Sequence, residues 1–495
     1  MSTMRVNHSA GPLTSGVVGA LLLGLLAYVW TANSSGLISS NDGSHLALAR
    51  ALALRGETSI DPDRALTLEV DVAVREGRSY SDRPPGTAFA AVPAVWLGDR
   101  LDPAMFERAM DQARSGRAVE PLPGAHPYIA TYVVRSGRGS TGPKLAMLIG
   151  TTITITIHAV LVGLFGIVIV DGVLRRLPGV DANARLFALA CLGLGTAWGP
   201  YASALFSHGS AATAVAGFLL GVVVLADEQP IARGKIGLGG VAALTGLAGA
   251  WAIACDYLLL LAIVPAAALS VAWRRWPAVL LGAAPISVAT LAYHAAAFGS
   301  PFALGYDHQR NFEFARERSS TFSGDLVDGL WTLWGLGRSA GLLAQAPIVL
   351  LGLGAVVVVL LASRTEPRTQ AGRAPLAALG WAMLGFVPWI LALALHKTPW
   401  GGGTGDHRYL IPILPFAAVG LGLAWARARP ALRVLLAAVG LVSAVLVWRH
   451  FLGWHEAAPF GRARLASVVA VSITTVALAG VWLKARKHRG QPVSW

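Results

Sequence analysis

Ser39-Ser40-Asn41-Asp42-Gly43-Ser44-His45 places a carboxylate directly behind an apolar run, 12–31, that is long enough to cross a bilayer. It also opens a polar stretch that continues to residue 144. An enzyme working at a membrane surface keeps its acid or base at such a boundary. No small-residue cleavage signature follows the first run, and many more apolar runs do, so it reads as a retained helix with the N terminus on the cytoplasmic side.

Composition agrees: 55% of the 495 residues are hydrophobic and 13% charged, with a mean hydropathy of +0.58. That excludes an ordinary soluble chain. Crossing needs roughly 17 to 25 apolar residues, and such runs lie near 12–31, 145–174, 182–202, 209–226, 236–254, 256–273, 277–297, 341–362, 375–395, 409–426, 431–448 and 465–483. The expectation is an all-α polytopic membrane protein, one transmembrane domain over 1–495 with about twelve helices and both termini cytoplasmic. Threading the runs alternately puts Arg175, Arg176, Arg274, Arg275, Arg427, Arg429 and Arg433 on one side, which the positive-inside rule makes the cytoplasm. The net charge of +14 thus finds its place beside anionic head groups and needs no nucleic acid. Cys191 and Cys255 sit in or beside apolar runs, which leaves neither a disulfide framework nor a CxxC metal pair. The Ala, Gly and Arg bias fits a bacterial gene of high GC content.

This topology turns 32–144, 203–208, the region near 255, 298–340, 396–408 and 449–464 outward. In the first outer loop, 43–55 predicts a helix closed by Gly56, too short to span and so expected at the interface. Alternation over 66–75 followed by Glu76-Gly77-Arg78 predicts a small hairpin leading to Tyr80. Arg83-Pro84-Pro85-Gly86 starts a second short interfacial helix, 86–98. The charged stretch 99–143 reads equally as an ordered cap or a mobile insertion, and 298–340 forms the second large outer loop.

Five stretches then carry a likeness: Asn41-Asp42-Gly43-Ser44-His45, Tyr80-Ser81-Asp82-Arg83-Pro84-Pro85-Gly86, Phe206-Ser207-His208-Gly209-Ser210, Gly335-Leu336-Gly337-Arg338-Ser339-Ala340-Gly341-Leu342 and Trp400-Gly401-Gly402-Gly403-Thr404-Gly405-Asp406-His407-Arg408-Tyr409. In order and outward placement the chain resembles the GT-C superfamily of polytopic glycosyltransferases, which includes protein mannosyltransferases and the aminoarabinose transferase of lipid A. The resemblance implies a bundle of helices, a sugar donor on polyprenyl phosphate, and a catalytic carboxylate just after the first helix, here Asp42. Two departures stand out: Asn41-Asp42 replaces a frequent acidic pair, and the insertion 99–143 is long.

Inverting glycosyl transfer needs a base for the acceptor hydroxyl, and a carboxylate serves. Asp42 fits that role, and it fits equally the bland one of N-cap to the helix 43–55. Polyprenyl phosphate leaves as an anion, so fixed cations help it depart; the candidates are Arg83, Arg338, Lys397 and Arg408. Arg83 stands where the family places a phosphate ligand, at a helix start whose own positive end assists. Candidate substrate contacts are Asn41, His45, Tyr80, Asp82, His208, Asp256, Asp406, His407 and Tyr409. His208 and His407 are also possible metal ligands, although no divalent metal is required by the sequence. Tyr306, His308, Trp331 and Trp334 suit a sugar-stacking wall or a membrane aromatic belt.

The expected activity is transfer of a sugar from a polyprenyl-phosphate donor to a lipid, polysaccharide or protein acceptor at the outer face of the cytoplasmic membrane. A secondary transporter and a non-catalytic lipid or cell-envelope assembly protein are the alternatives.

Overall fold

The computed structural model describes residues 40–101, 161–227, 237–363 and 373–454, apart from positions 68, 203, 338–339 and 402–405. The expected spans 12–31 and 465–483, Arg338, and all of 99–143 beyond residue 101 lie outside the described residues.

Among the described residues six helices are long and apolar enough to cross a membrane: Ser207–Ala226, Leu238–Cys255, Trp273–Phe298, Ala374–Leu395, Arg408–Arg427 and Pro430–His450. Four shorter apolar helices, Leu161–Leu174, Ala182–Leu194, Tyr257–Ser270 and Pro347–Leu361, complete the set. Every predicted run from 145–174 to 431–448 therefore carries a helix within its described residues, and the fold is an all-α polytopic membrane fold. Proline explains where a run breaks: Arg373–Gly385 gives way to Val387–Leu395 at Phe386, with Pro388 in the first turn of the second piece.

Burial sorts the spans. Arg408–Arg427 is 78% buried and central, whereas Trp273–Phe298 is 17% buried and turns Leu281 and Val288 outward, as a lipid-facing helix would. Leu238–Cys255 and Trp276–Phe298 cross backbone to backbone. A Cβ on Gly246 would lie 1.8 Å from the Val279 carbonyl oxygen, and one on Gly282 equally close to that of Ala243.

The stretch 40–101 departs most from expectation. Helix α1, Ser40–Arg50, is buried along its whole length instead of lying half-exposed at an interface. It packs against a 3₁₀ turn, Asp61–Thr67, and against helix α2, Gly86–Leu101. The cause is Gly43: its missing side chain lets the Leu66 carbonyl oxygen approach to within 1.9 Å of where a Cβ would stand. Gly43→Ala is expected to cost about 1–3 kcal/mol through overpacking, read as a lowered Tm of the purified protein; an unchanged Tm would show that the 3₁₀ turn yields freely.

α1 continues as a π turn, Ala51–Arg55, and stops at Gly56 with φ of 67°, the predicted stop. Arg50 and Arg55, each 2.8 Å from a different oxygen of Asp63, tie the end of α1 to the 3₁₀ turn. The expected hairpin is present: β1, Val72–Arg75, pairs antiparallel with β2, Arg78–Ser81, and Val72 faces Ser81. Glu76 and Gly77 both have positive φ, as a two-residue hairpin turn requires.

At the far end of the bundle, buried Asp171 joins Leu161–Leu174 to Ala182–Leu194, its carboxylate held by Arg175 at 2.6 Å and Arg185 at 3.1 Å.

Candidate active site

Five stretches of chain meet at one end of the bundle: α1, the exit of the hairpin, 198–208, 305–309 and 406–409. Two anchors hold them. Tyr201, buried on a single helical turn, donates its hydroxyl to Asp406 Oδ2 at 2.6 Å, and Asp406 Oδ1 accepts the Arg408 amide N–H at 3.1 Å. Gln309 donates from Nε2 to the Val70 carbonyl at 3.0 Å and to Asp82 Oδ2 at 3.3 Å, stitching the loop after Phe298 to the hairpin region.

One half of the site is cationic and aromatic. The Arg408 guanidinium lies 5.5 Å above the Phe206 ring and 5.4 Å from that of Tyr409. His208, in the first turn of Ser207–Ala226, meets Tyr409 edge-on at 5.6 Å and Tyr201 at 6.0 Å. Arg408, Arg83 and His45 all lie within electrostatic reach of His208. His45 is three residues from Asp42 on buried α1, so both share one helix face. Asp42 itself sits inside the first described turn of α1, with Oδ1 3.2 Å from the Gly43 amide; the helix is described from Ser40 rather than beginning after Asp42, so the N-cap role expected for a helix 43–55 does not apply.

The other half is acidic and phenolic. Asp82 lies among Tyr257, Tyr293 and Tyr306. Burial pushes its carboxyl up to about 7; Arg83 pulls the other way, and Asp71 adds to the rise. Asp256 caps a 3₁₀ turn by accepting the Leu258 amide at 3.0 Å, and burial raises it to about 6.

Arg83 joins the halves. One terminal nitrogen is bonded to Asp71, its Nε lies 3.3 Å from Asp82 Oδ1, and it reaches both Tyr306 and Tyr409 electrostatically. Burial opposes its charge, yet Asp71 and then Asp82 hold its pKa well above the ordinary arginine value. So Arg83, the phosphate-binding candidate at the start of α2, is an ion-paired cation.

Three candidates stand apart. The Lys397 ammonium packs over Phe314 at 5.5 Å. His407 turns to Gln345, with Nδ1 2.8 Å from an amide oxygen that only accepts, so the proton is on Nδ1; burial lowers its pKa to about 4, against Asp406, which keeps the ring neutral. Tyr80 meets Phe298 edge-on at 5.6 Å. Of the aromatic candidates, Tyr306 faces the site and Trp331 is exposed. Among the described residues no three His, Cys, Asp or Glu side chains are grouped to hold a metal ion.

Sequence reading missed Asp71, Tyr201, Gln309 and Gln345. Asp71 hid in the strand-like alternation, where a polar residue was expected on the wet face. Tyr201 stood in an apolar run with nothing nearby in sequence to suggest its partner, which is more than two hundred residues away. A small cavity, with room for little more than one water, lies beside this cluster, lined by Val162, Gly163, Trp198, Tyr201, Phe206 and Gly209.

No protein-family model and no curated protein matches the chain. Two solved structures do. ArnT from Cupriavidus metallidurans bound to undecaprenyl phosphate is 17% identical, with a TM-score of 0.51 over 96% of this chain and 72% of that one. The same protein in the apo state is 15% identical, with a TM-score of 0.52 over 89% and 76%. The chain shares the fold of these two structures.

Proposed function

We propose that this chain is an integral membrane glycosyltransferase of GT-C type, which moves a sugar from a polyprenyl-phosphate donor to an acceptor hydroxyl at the outer face of the cytoplasmic membrane. One observation carries the reading: buried His45, which shares a helix face with buried Asp42, lies with Arg83 and Arg408 within electrostatic reach of His208, in a fold held in common with a structure that contains undecaprenyl phosphate.

The roles follow from the chemistry. Asp42 accepts the acceptor hydroxyl's proton as that oxygen bonds to the anomeric carbon from the face opposite the phosphate. The bond from the anomeric carbon to the phosphate oxygen breaks with its electron pair, and polyprenyl phosphate departs as an anion. Arg408 and Arg83 stabilise the developing charge. Asp82, Asp256 and Tyr306 offer hydrogen bonds to sugar hydroxyls. The single transmembrane domain holds these parts, with 32–144 and 298–340 as its outer cap.

The test is transfer of radiolabelled sugar from a panel of polyprenyl-phosphate sugars by the purified protein, with and without a chelator. Label transferred or released supports the class and identifies the sugar; a folded sample that turns over no donor would overturn it. Arg408→Ala, which removes the guanidinium over the Phe206 and Tyr409 rings, is expected to lower transfer by about 10²–10³ in the fraction that remains folded. Wild-type transfer in this variant would remove Arg408 from the site.

A further inference from the structure

Arg83 stands between two carboxylates, and that creates a difficulty for any anion. Asp71 and Asp82 are buried, at 3% and 1% side-chain exposure, and Arg83 is 20% exposed. With both acids ionised the cluster carries one net negative charge. A phosphodiester brought to Arg83 adds a second in a place shielded from water, where like charges repel strongly. One proton on one carboxylate relieves this, and the hydrogen bonds say which. Asp71 uses both oxygens, Oδ2 accepting from Ser40 Oγ and Oδ1 from Arg83. Asp82 accepts a long bond from Gln309 at Oδ2 and a contact from its own backbone N–H, and its Oδ1, 3.3 Å from Arg83 Nε, accepts no well-aligned hydrogen bond among the described residues.

We propose that donor phosphate reaches Arg83 only when Asp82 has taken up a proton, so that each anion bound at this arginine brings one proton with it. The inference rests on the phosphate-binding role given to Arg83 above. Protonated Asp82 turns from a rival anion into a donor, free to give its hydrogen to a phosphate or sugar oxygen, while Arg83 keeps Asp71 as its one counter-ion.

The groups that face Asp82 are few. Arg83 and Asp71 come from its own loop, Tyr293 from Trp276–Phe298, Tyr257 from the turn after Asp256, and Tyr306 and Gln309 from the loop after Phe298. Asp256 acts on Tyr306 and Asp307 on Tyr257, one layer further out. Phenols stay neutral well above pH 7, so two carboxyls are set to change charge near neutrality: Asp82, which burial has moved to about 7 beside Arg83, and Asp256, raised to about 6 one layer further out. The sign follows: the proton is present below about 7, where affinity is flat, and is lost as pH rises, so affinity falls by up to tenfold per unit above that value.

The experiment measures binding of undecaprenyl methyl phosphate, a diester whose single charge does not titrate in the range, to the purified full chain from about pH 6 to pH 9. Wild type should bind evenly up to neutrality and weaken about tenfold per unit beyond it, while Asp82→Asn should bind with no such slope. Calorimetry of the wild type in buffers of differing ionisation enthalpy adds a measure that needs no variant: uptake should approach one proton per diester bound on the alkaline side. Flat wild-type binding without proton uptake overturns the coupling and leaves the phosphate site standing. A slope unchanged in folded Asp82→Asn overturns it too, by assigning the proton to another group, such as His45 or His208. No binding at any pH overturns the phosphate site itself, and the coupling with it.

Discussion

Asp42→Asn is expected to lower sugar transfer by about 10²–10⁴-fold in a protein whose Tm stays close to wild type. Asparagine keeps the size of the side chain and an oxygen for the Gly43 amide, which Asp42 Oδ1 meets at 3.2 Å. It removes the basicity. Had Asp42 been the cap of its helix, Asn would serve nearly as well and nothing but stability would be at issue; a position inside the first described turn of fully buried α1 separates the two roles. Single-turnover transfer measured beside thermal unfolding decides between them. A fall in rate with Tm unchanged identifies the base, and an unchanged rate would take Asp42 out of the chemistry.

The spans were legible because their signal is local: an apolar run of sufficient length must be a helix wherever the backbone cannot bond to water. The hairpin was legible for a similar reason, since alternation over 66–75 and Glu76-Gly77 are features of neighbouring residues. The burial of α1 was not. Leu46, Leu48 and Arg50 looked like an interfacial helix because Gly43 gives no hint in sequence that Leu66 will fill the space it leaves. The electrostatics of the candidate site escaped for the same reason. Arg83 read as a phosphate-binding cation, and only packing brings Asp71 to it from across the hairpin. The link from Tyr201 to Asp406 ties an apolar run to a motif more than two hundred residues away, a pairing that order along the chain could not bring together in space.

Asp63→Ala should destabilise the protein by about 3–5 kcal/mol, the usual consequence of taking one partner from a buried ion pair. Asp63 is 2% exposed and Arg50 5%, so the guanidinium and carboxylate meet at 2.8 Å almost without water. Arg55, a quarter exposed and also 3.4 Å from Glu57, has water and a second anion to turn to; the loss therefore falls mainly on Arg50. If the pair acts through charge, Arg50→Met combined with Asp63→Leu should recover much of the stability, since two apolar groups of similar volume satisfy each other. If it acts by shape alone, the double variant should be worse than either single one. Because Asp63 fixes the end of the helix whose start carries Asp42, Asp63→Ala should also slow transfer more than its lowered Tm explains, measured well below that Tm. A rate that tracks only the folded fraction would show that α1 keeps its catalytic end in place without this anchor.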